Sequence, residues 1–225
     1  MTLPESFFEY ATEFENRIGI RSGFFNELIR EDDWSFVIKL HAFLEACLTH
    51  SICSVLGRPE LEEVVARLDT SNNQSGKLAF AKKLGILNKP QRRFVSTLSQ
   101  LRNDIVHDAR AVDFCFVRYM NEMPKEQRYQ FCVAMSLDEM LEPYSEQNEL
   151  RIISFVNEVP KFGIGYTASL VIAELFIHTS AGELNKVFKS IGERLVGLST
   201  EELRKMKENN VTTNQEDALG LNAAR

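Results

Sequence analysis

Arg102, Asn103 and His107 are the residues whose types and spacing best suit chemistry, within the segment Leu101-Arg102-Asn103-Asp104-Ile105-Val106-His107-Asp108. An arginine grips phosphate by charge-assisted, often bidentate hydrogen bonds, and a histidine near its unperturbed pKa of ~6.5 moves a proton either way at neutral pH. The matching reaction is metal-independent phosphoryl transfer on RNA. Arg102 would hold the phosphate, and His107 would take a proton from the ribose 2′-hydroxyl or give one to the leaving oxygen. Asn103 would orient the group, and Glu45 or Asp104 would hold Arg102.

Geometry limits this reading. On an ideal helix, five residue steps separate Arg102 from His107 by ~140°, whereas Asn103 and His107 share a face. Arg102 can join them only if the helix ends or distorts near Asp108-Ala109-Arg110, or if a second copy supplies the partner. A structural alternative stands beside it, with Arg102 paired to a carboxylate such as Glu45 across the bundle and His107 capping the helix C-terminus.

Helices must position these residues. Residues 5–30 place Phe7, Phe8, Ala11, Phe14, Ile18, Phe25, Leu28 and Ile29 at roughly helical spacing, with Gly19 and Gly23 as breaks. From Trp34 to Leu56, Val37, Leu40, His41, Leu44, Cys47, Leu48, Ile52 and Val55 advance by threes and fours, and Gly57-Arg58-Pro59 supplies a stop. Pro59 opens a short helix to Leu68, residues 69–76 form a polar loop, and Lys77 to Leu84 ends at Gly85. Pro90 opens the helix carrying the site, where Phe94, Leu98, Leu101 and Ile105 form a stripe that faces the core. Beyond Asp113 the pattern fits either helix or short strand. A helix is expected over residues 145–159 before Pro160, and one or two more from Tyr166 to Leu198, interrupted near Ser180-Ala181-Gly182. The sequence turns polar from Ser199, and residues 209–225 read as a frayed, disordered tail.

The fold class is therefore all-α, a helical bundle with additional C-terminal helices. Its segments are an N-terminal helical stretch (1–33), a core (34–110), a C-terminal extension packed on the same domain (111–208) and the tail (209–225). With 225 residues, 44% hydrophobic and 26% charged, the chain can fill one core. The four cysteines form no CxxC pair and read as reduced core thiols. His41 with Cys47, or His50 with Cys53, falls short of four convergent ligands, so neither a metal nor another cofactor is expected. No run reaches the ~20 uninterrupted apolar residues of a membrane span, and the N-terminus Met1-Thr2-Leu3-Pro4-Glu5 lacks the basic start of a signal peptide, so a cytoplasmic location without membrane partners is expected.

Charge is uneven along the chain. Residues 1–76 carry 6 Lys/Arg against 13 Asp/Glu, residues 77–110 carry 8 against 2, and residues 111–225 carry 12 against 17. The basic middle includes Lys82, Lys83, Lys89, Arg92, Arg93 and Arg110, candidate nucleic-acid contacts or simply solvated helix faces. No helix-turn-helix with a basic recognition helix is visible, so direct sequence-specific DNA binding lacks support.

The segment Arg102-Asn103-Asp104-Ile105-Val106-His107 resembles the R-N-x-x-x-H motif of the HEPN superfamily of helical domains. The upstream helix Leu40-His41-Ala42-Phe43-Leu44-Glu45-Ala46-Cys47-Leu48 is similar to the acidic-residue-bearing helix of those domains. Phe80-Ala81-Lys82-Lys83-Leu84-Gly85-Ile86-Leu87 before the motif most resembles the mannitol operon repressor type. The resemblance covers residues 34–110. It implies a bundle that dimerises with its two motifs facing, and either a ribonuclease or a non-catalytic partner. Toxin-type members often carry a tyrosine two residues after the histidine; here that position is Ala109. Three expectations follow: a non-enzymatic, homodimeric regulator acting through a protein or nucleic-acid partner; a metal-independent endoribonuclease using Arg102 and His107; and a structural helical interaction module.

Overall fold

Glu15 organises the start of the bundle. It is fully buried, and its carboxylate accepts hydrogen bonds from the backbone amides of Gly23 at 2.6 Å and Phe25 at 2.7 Å. These amides lie at the N-terminus of α1 (Phe24–Leu28), where unpaired N–H groups and the helix dipole favour a negative charge. Gly19 and Gly23, at φ 74° and 83°, make the turns that separate α1 from the preceding chain. The computed structural model describes residues 12–13, 15–72, 74–136, 154 and 156–222. The expected helix over 145–159 and the apolar positions Phe7, Phe8, Ala11 and Phe14 lie mostly outside these residues.

The long apolar run forms α2 (Asp33–Leu56), capped by the Asp32 side chain on the Ser35 amide at 2.8 Å and stopped by Gly57 at φ 64°. A 3₁₀ turn (Pro59–Leu61) leads into α3 (Glu62–Ala66) and then α4 (Lys77–Lys83). The site helix is α5 (Lys89–His107), whose start is a reciprocal capping box between Asn88 and Gln91. The ambiguous stretch after Asp113 is helical, as α6 (Phe116–Glu122) and α7 (Lys125–Ala134). Asp33 decides where α6 begins, because its Oδ2 accepts the Phe116 amide at 2.9 Å. The last helix, α8, runs over Pro160–Asn222. The chain is thus all-α, with no strand among the described residues.

Residues 1–182 form one compact unit and residues 183–225 another. In the first, α2 packs against α1, α3, α4 and, most extensively, α5. Phe36, Leu40, Leu44 and Leu48 of α2 meet the expected α5 stripe of Phe94, Leu98, Leu101 and Ile105, all buried. Ile164, Ala168, Val171 and Leu175 of α8 complete the same core. The expected interruption at Ser180-Ala181-Gly182 is absent. A Cβ on Gly182 would sit 2.5 Å from the Ser54 carbonyl oxygen of α2, so this glycine permits close helix packing rather than a break. Nearby, Ser51 Oγ lies 2.8 Å from Thr179 Oγ1.

The second unit is helical through Asn222, where a frayed tail was expected from Asn209. No proline follows Pro160 to end the helix. Here Leu184, Phe188, Ile191 and Leu195 are all about half exposed or more.

Two helices, Asp33–Leu56 and Pro160–Glu202, have the length and apolarity of a membrane span, but 67% and 61% of their most apolar windows are buried inside the protein. The α2 window is the centre of the bundle core. Cys47, Cys53, Cys115 and Cys132 are free thiols.

Candidate functional site

The site follows from two helical repeats facing one another. On α2, His41 and Glu45 are one turn apart and share a face; on α5, Ser99, Arg102 and Asn103 stand at i, i+3 and i+4 and share another. Where these faces oppose, side chains from both helices and from the chain after α3 line a cavity of about 270 Å³. Its walls are mainly His41, Glu45, Arg67, Asp69, Thr70, Ser71, Ser99, Arg102 and Asn103.

Glu45 anchors the floor. Its Oε1 accepts from Lys77 Nζ at 2.6 Å and from Thr70 Oγ1 at 2.7 Å. Lys77 is completely buried and also donates to the Ala66 carbonyl at 2.9 Å. Burial opposes the charge on Glu45, but the hydrogen bonds from Lys77 and Thr70 outweigh it and hold the carboxyl below the usual carboxylate range. His41 is 8% exposed, and its Nε2 lies 2.9 Å from Ser99 Oγ. Burial pushes its imidazole below the ordinary histidine range; Glu45 pulls the other way, while Arg102 and Lys77 add positive field.

Arg102 is half-buried at the cavity rim and donates to Asn103 Oδ1 at 2.9 Å. Among the described residues no carboxylate pairs with it. The expected Arg102–Glu45 ion pair is not formed; Glu45 Oε1 instead pairs with Lys77. Asp104 is exposed and does not line the cavity, so it does not hold Arg102 either. His107 is exposed at the last residue of a helix that stays regular to its end, so the ~140° divergence from Arg102 persists. It lies outside the cavity, and no hydrogen bond ties its ring to the helix C-terminus among the described residues. Within one chain, Arg102 and His107 do not converge.

The chain matches no known protein family, no curated protein and no solved structure.

The basic residues divide by use. Lys82, Lys83 and Lys89 are exposed on α4 and α5. Arg92 instead donates to the Leu87 carbonyl, and Arg93 to the Val133 carbonyl at 3.2 Å. Arg110 forks onto both oxygens of Asp108 at 3.0 Å, and that contact holds the Asp108 carboxyl below its usual range. Arg92 and Arg93 thus brace backbone carbonyls, while Arg110 remains 92% exposed beside Asp108. Among the described residues, no three His, Cys, Asp or Glu side chains group as metal ligands. Sequence reading missed His41 with Ser99, and Lys77 with Thr70. The available signal was polar residues at helical spacing on faces otherwise apolar.

Proposed function

We propose that this chain is a non-enzymatic regulatory protein of HEPN type, nearest the mannitol operon repressor kind, acting in the cytoplasm as a homodimer on a protein or nucleic-acid partner. One observation carries the reading. Arg102 faces a polar cavity with His41 and Ser99, while His107 stands exposed beyond it, so a single chain does not bring Arg102 and His107 together. The absence of the toxin-type tyrosine at Ala109 supports the same choice. The engagement of Arg92 and Arg93 with backbone carbonyls leaves fewer cations to follow a nucleic-acid backbone.

Homodimerisation has separate support. Leu184, Phe188, Ile191 and Leu195 are exposed at i, i+4, i+7 and i+11, the a/d spacing by which two identical helices cover one another in a coiled coil.

A second reading, metal-independent endoribonuclease, draws on the same two residues if a partner copy brings its His107 to Arg102, since neither side chain is held by a carboxylate. Incubation of the protein and its His107→Ala variant with total RNA in EDTA separates the readings. Intact RNA with both proteins is the expected result. Fragments ending in 2′,3′-cyclic phosphate that vanish in the variant would establish the nuclease instead.

A further inference from the structure

The cavity between α2 and α5 contains two unequal sets of charges. Its carboxylates are already engaged: Glu45 with Lys77 and Thr70, and Asp69 with the Asn72 amide at 2.6 Å and the Ser71 hydroxyl at 3.1 Å. Its two guanidiniums, Arg67 and Arg102, have no carboxylate partner among the described residues, and both line the cavity. Glu45 is directed to Lys77 and Thr70, and the exposed Asp69 is directed to its own turn at Ser71 and Asn72, so neither acid pairs with the two guanidiniums. With the buried Lys77 behind Glu45, three cations (Lys77, Arg67 and Arg102) stand against two carboxylates (Glu45 and Asp69), a local excess of positive charge.

Size and donors narrow the ligand. The volume of about 270 Å³ has room for a phosphate and a small organic remainder. Guanidinium forks match the tetrahedral oxygens of phosphate. Ser99 Oγ and the Asn103 amide add neutral polar contacts on the same face, with His41 behind Ser99.

We propose that this cavity binds a small phosphate monoester, with Arg102 and Arg67 gripping the dianionic phosphate and Ser99 and Asn103 contacting the remainder. The proposal goes beyond the regulatory reading and does not depend on it, because it requires neither a dimer nor a macromolecular partner. It would give a regulator its effector site.

Isothermal titration calorimetry at fixed ionic strength tests this with three probes: inorganic phosphate, ribose 5-phosphate and an RNA dinucleotide with a phosphodiester. Saturable binding of phosphate and ribose 5-phosphate, with the monoester bound more tightly than the dinucleotide, is expected. The Arg67→Gln/Arg102→Gln double variant should weaken monoester binding at least tenfold. Neither arginine has a carboxylate partner to strand, and circular dichroism checks the fold. Asn103→Asp, an exposed change that places a carboxylate beside Arg102, should weaken binding similarly, whereas Arg110→Gln should leave it unchanged. Equal binding by wild type and both site variants, or no saturable binding of either phosphate probe, would overturn the proposal. Tighter binding of the dinucleotide would replace the small monoester with an RNA backbone. RNA cleavage in the earlier assay with monoester binding intact would sink the regulatory reading alone.

Discussion

Lys77→Ala lowers the free energy of unfolding by about 2–4 kcal/mol. The Lys77 side chain is wholly buried and its ammonium makes two hydrogen bonds, to Glu45 and to the Ala66 carbonyl. Removing one partner of a buried ion pair costs ~3–5 kcal/mol, because the other charge is left without compensation. Glu45 keeps 34% of its side chain in contact with water, so solvent recovers part of that loss and the expected figure falls below the full range. Truncating the buried alkyl stem adds a cavity term in the opposite direction. Urea denaturation of Lys77→Ala, Glu45→Gln and the double variant reads both the loss and the coupling. The double variant should lose clearly less than the two single losses combined, since no orphaned charge remains. A single-variant loss under about 1 kcal/mol would show that Lys77 is not the cation that anchors Glu45.

Gly182→Ala is destabilising by about 2 kcal/mol, against the sign that helix propensity alone assigns. In an open helix, alanine for glycine gains ~1 kcal/mol. Here the added Cβ would meet three backbone atoms of α2: the Ser54 carbonyl oxygen at 2.5 Å, its carbon at 2.6 Å and the Val55 nitrogen at 2.9 Å. Backbone cannot change rotamer, so the helices must separate, and overpacking of this kind costs ~1–3 kcal/mol or more. Separation also pulls on the hydrogen bond between Ser51 and Thr179 one turn away. Gly192 supplies the control, because a Cβ there meets nothing within 4 Å, and Gly192→Ala should be neutral or stabilising. Thermal melts that rank Gly182→Ala above wild type would contradict the close approach of α8 to α2.

The same glycine shows what a sequence can and cannot disclose. Local rules carry much of the fold: Phe94, Leu98, Leu101 and Ile105 recur at the helical period and are all buried, and Gly57 and Gly85 end their helices with the left-handed backbone expected of a stop. Gly182 obeys no local rule, because its role depends on a strand of backbone 128 positions earlier in the chain, at Ser54. It reads as a break when it is a contact. Residues 209–222 fail in the other direction, since few apolar residues suggest fraying, yet nothing there stops a helix once begun.

The site divides the same way. Arg102 was identifiable as the cation of interest and Glu45 as a nearby acid, but pairing them overlooked Lys77, 32 residues from Glu45. His41 and Ser99 are 58 residues apart; each looks like an isolated polar residue on a core helix until the two helices are packed. His107 drew attention through motif spacing, and its exposure at the end of α5 follows from the helix continuing regularly to that residue. Arg92 and Arg93 resembled a solvated basic face because charge is visible in sequence and a backbone carbonyl acceptor is not.

Which histidine Arg102 accompanies is best measured by proton NMR titration of the imidazole rings in wild type and Arg102→Gln. Burial holds His41 below the ordinary histidine range and the Arg102 charge pushes it further down. Removing that charge should move the His41 midpoint to higher pH. An unmoved His41 midpoint in a folded Arg102→Gln variant would contradict the placement of Arg102 beside His41.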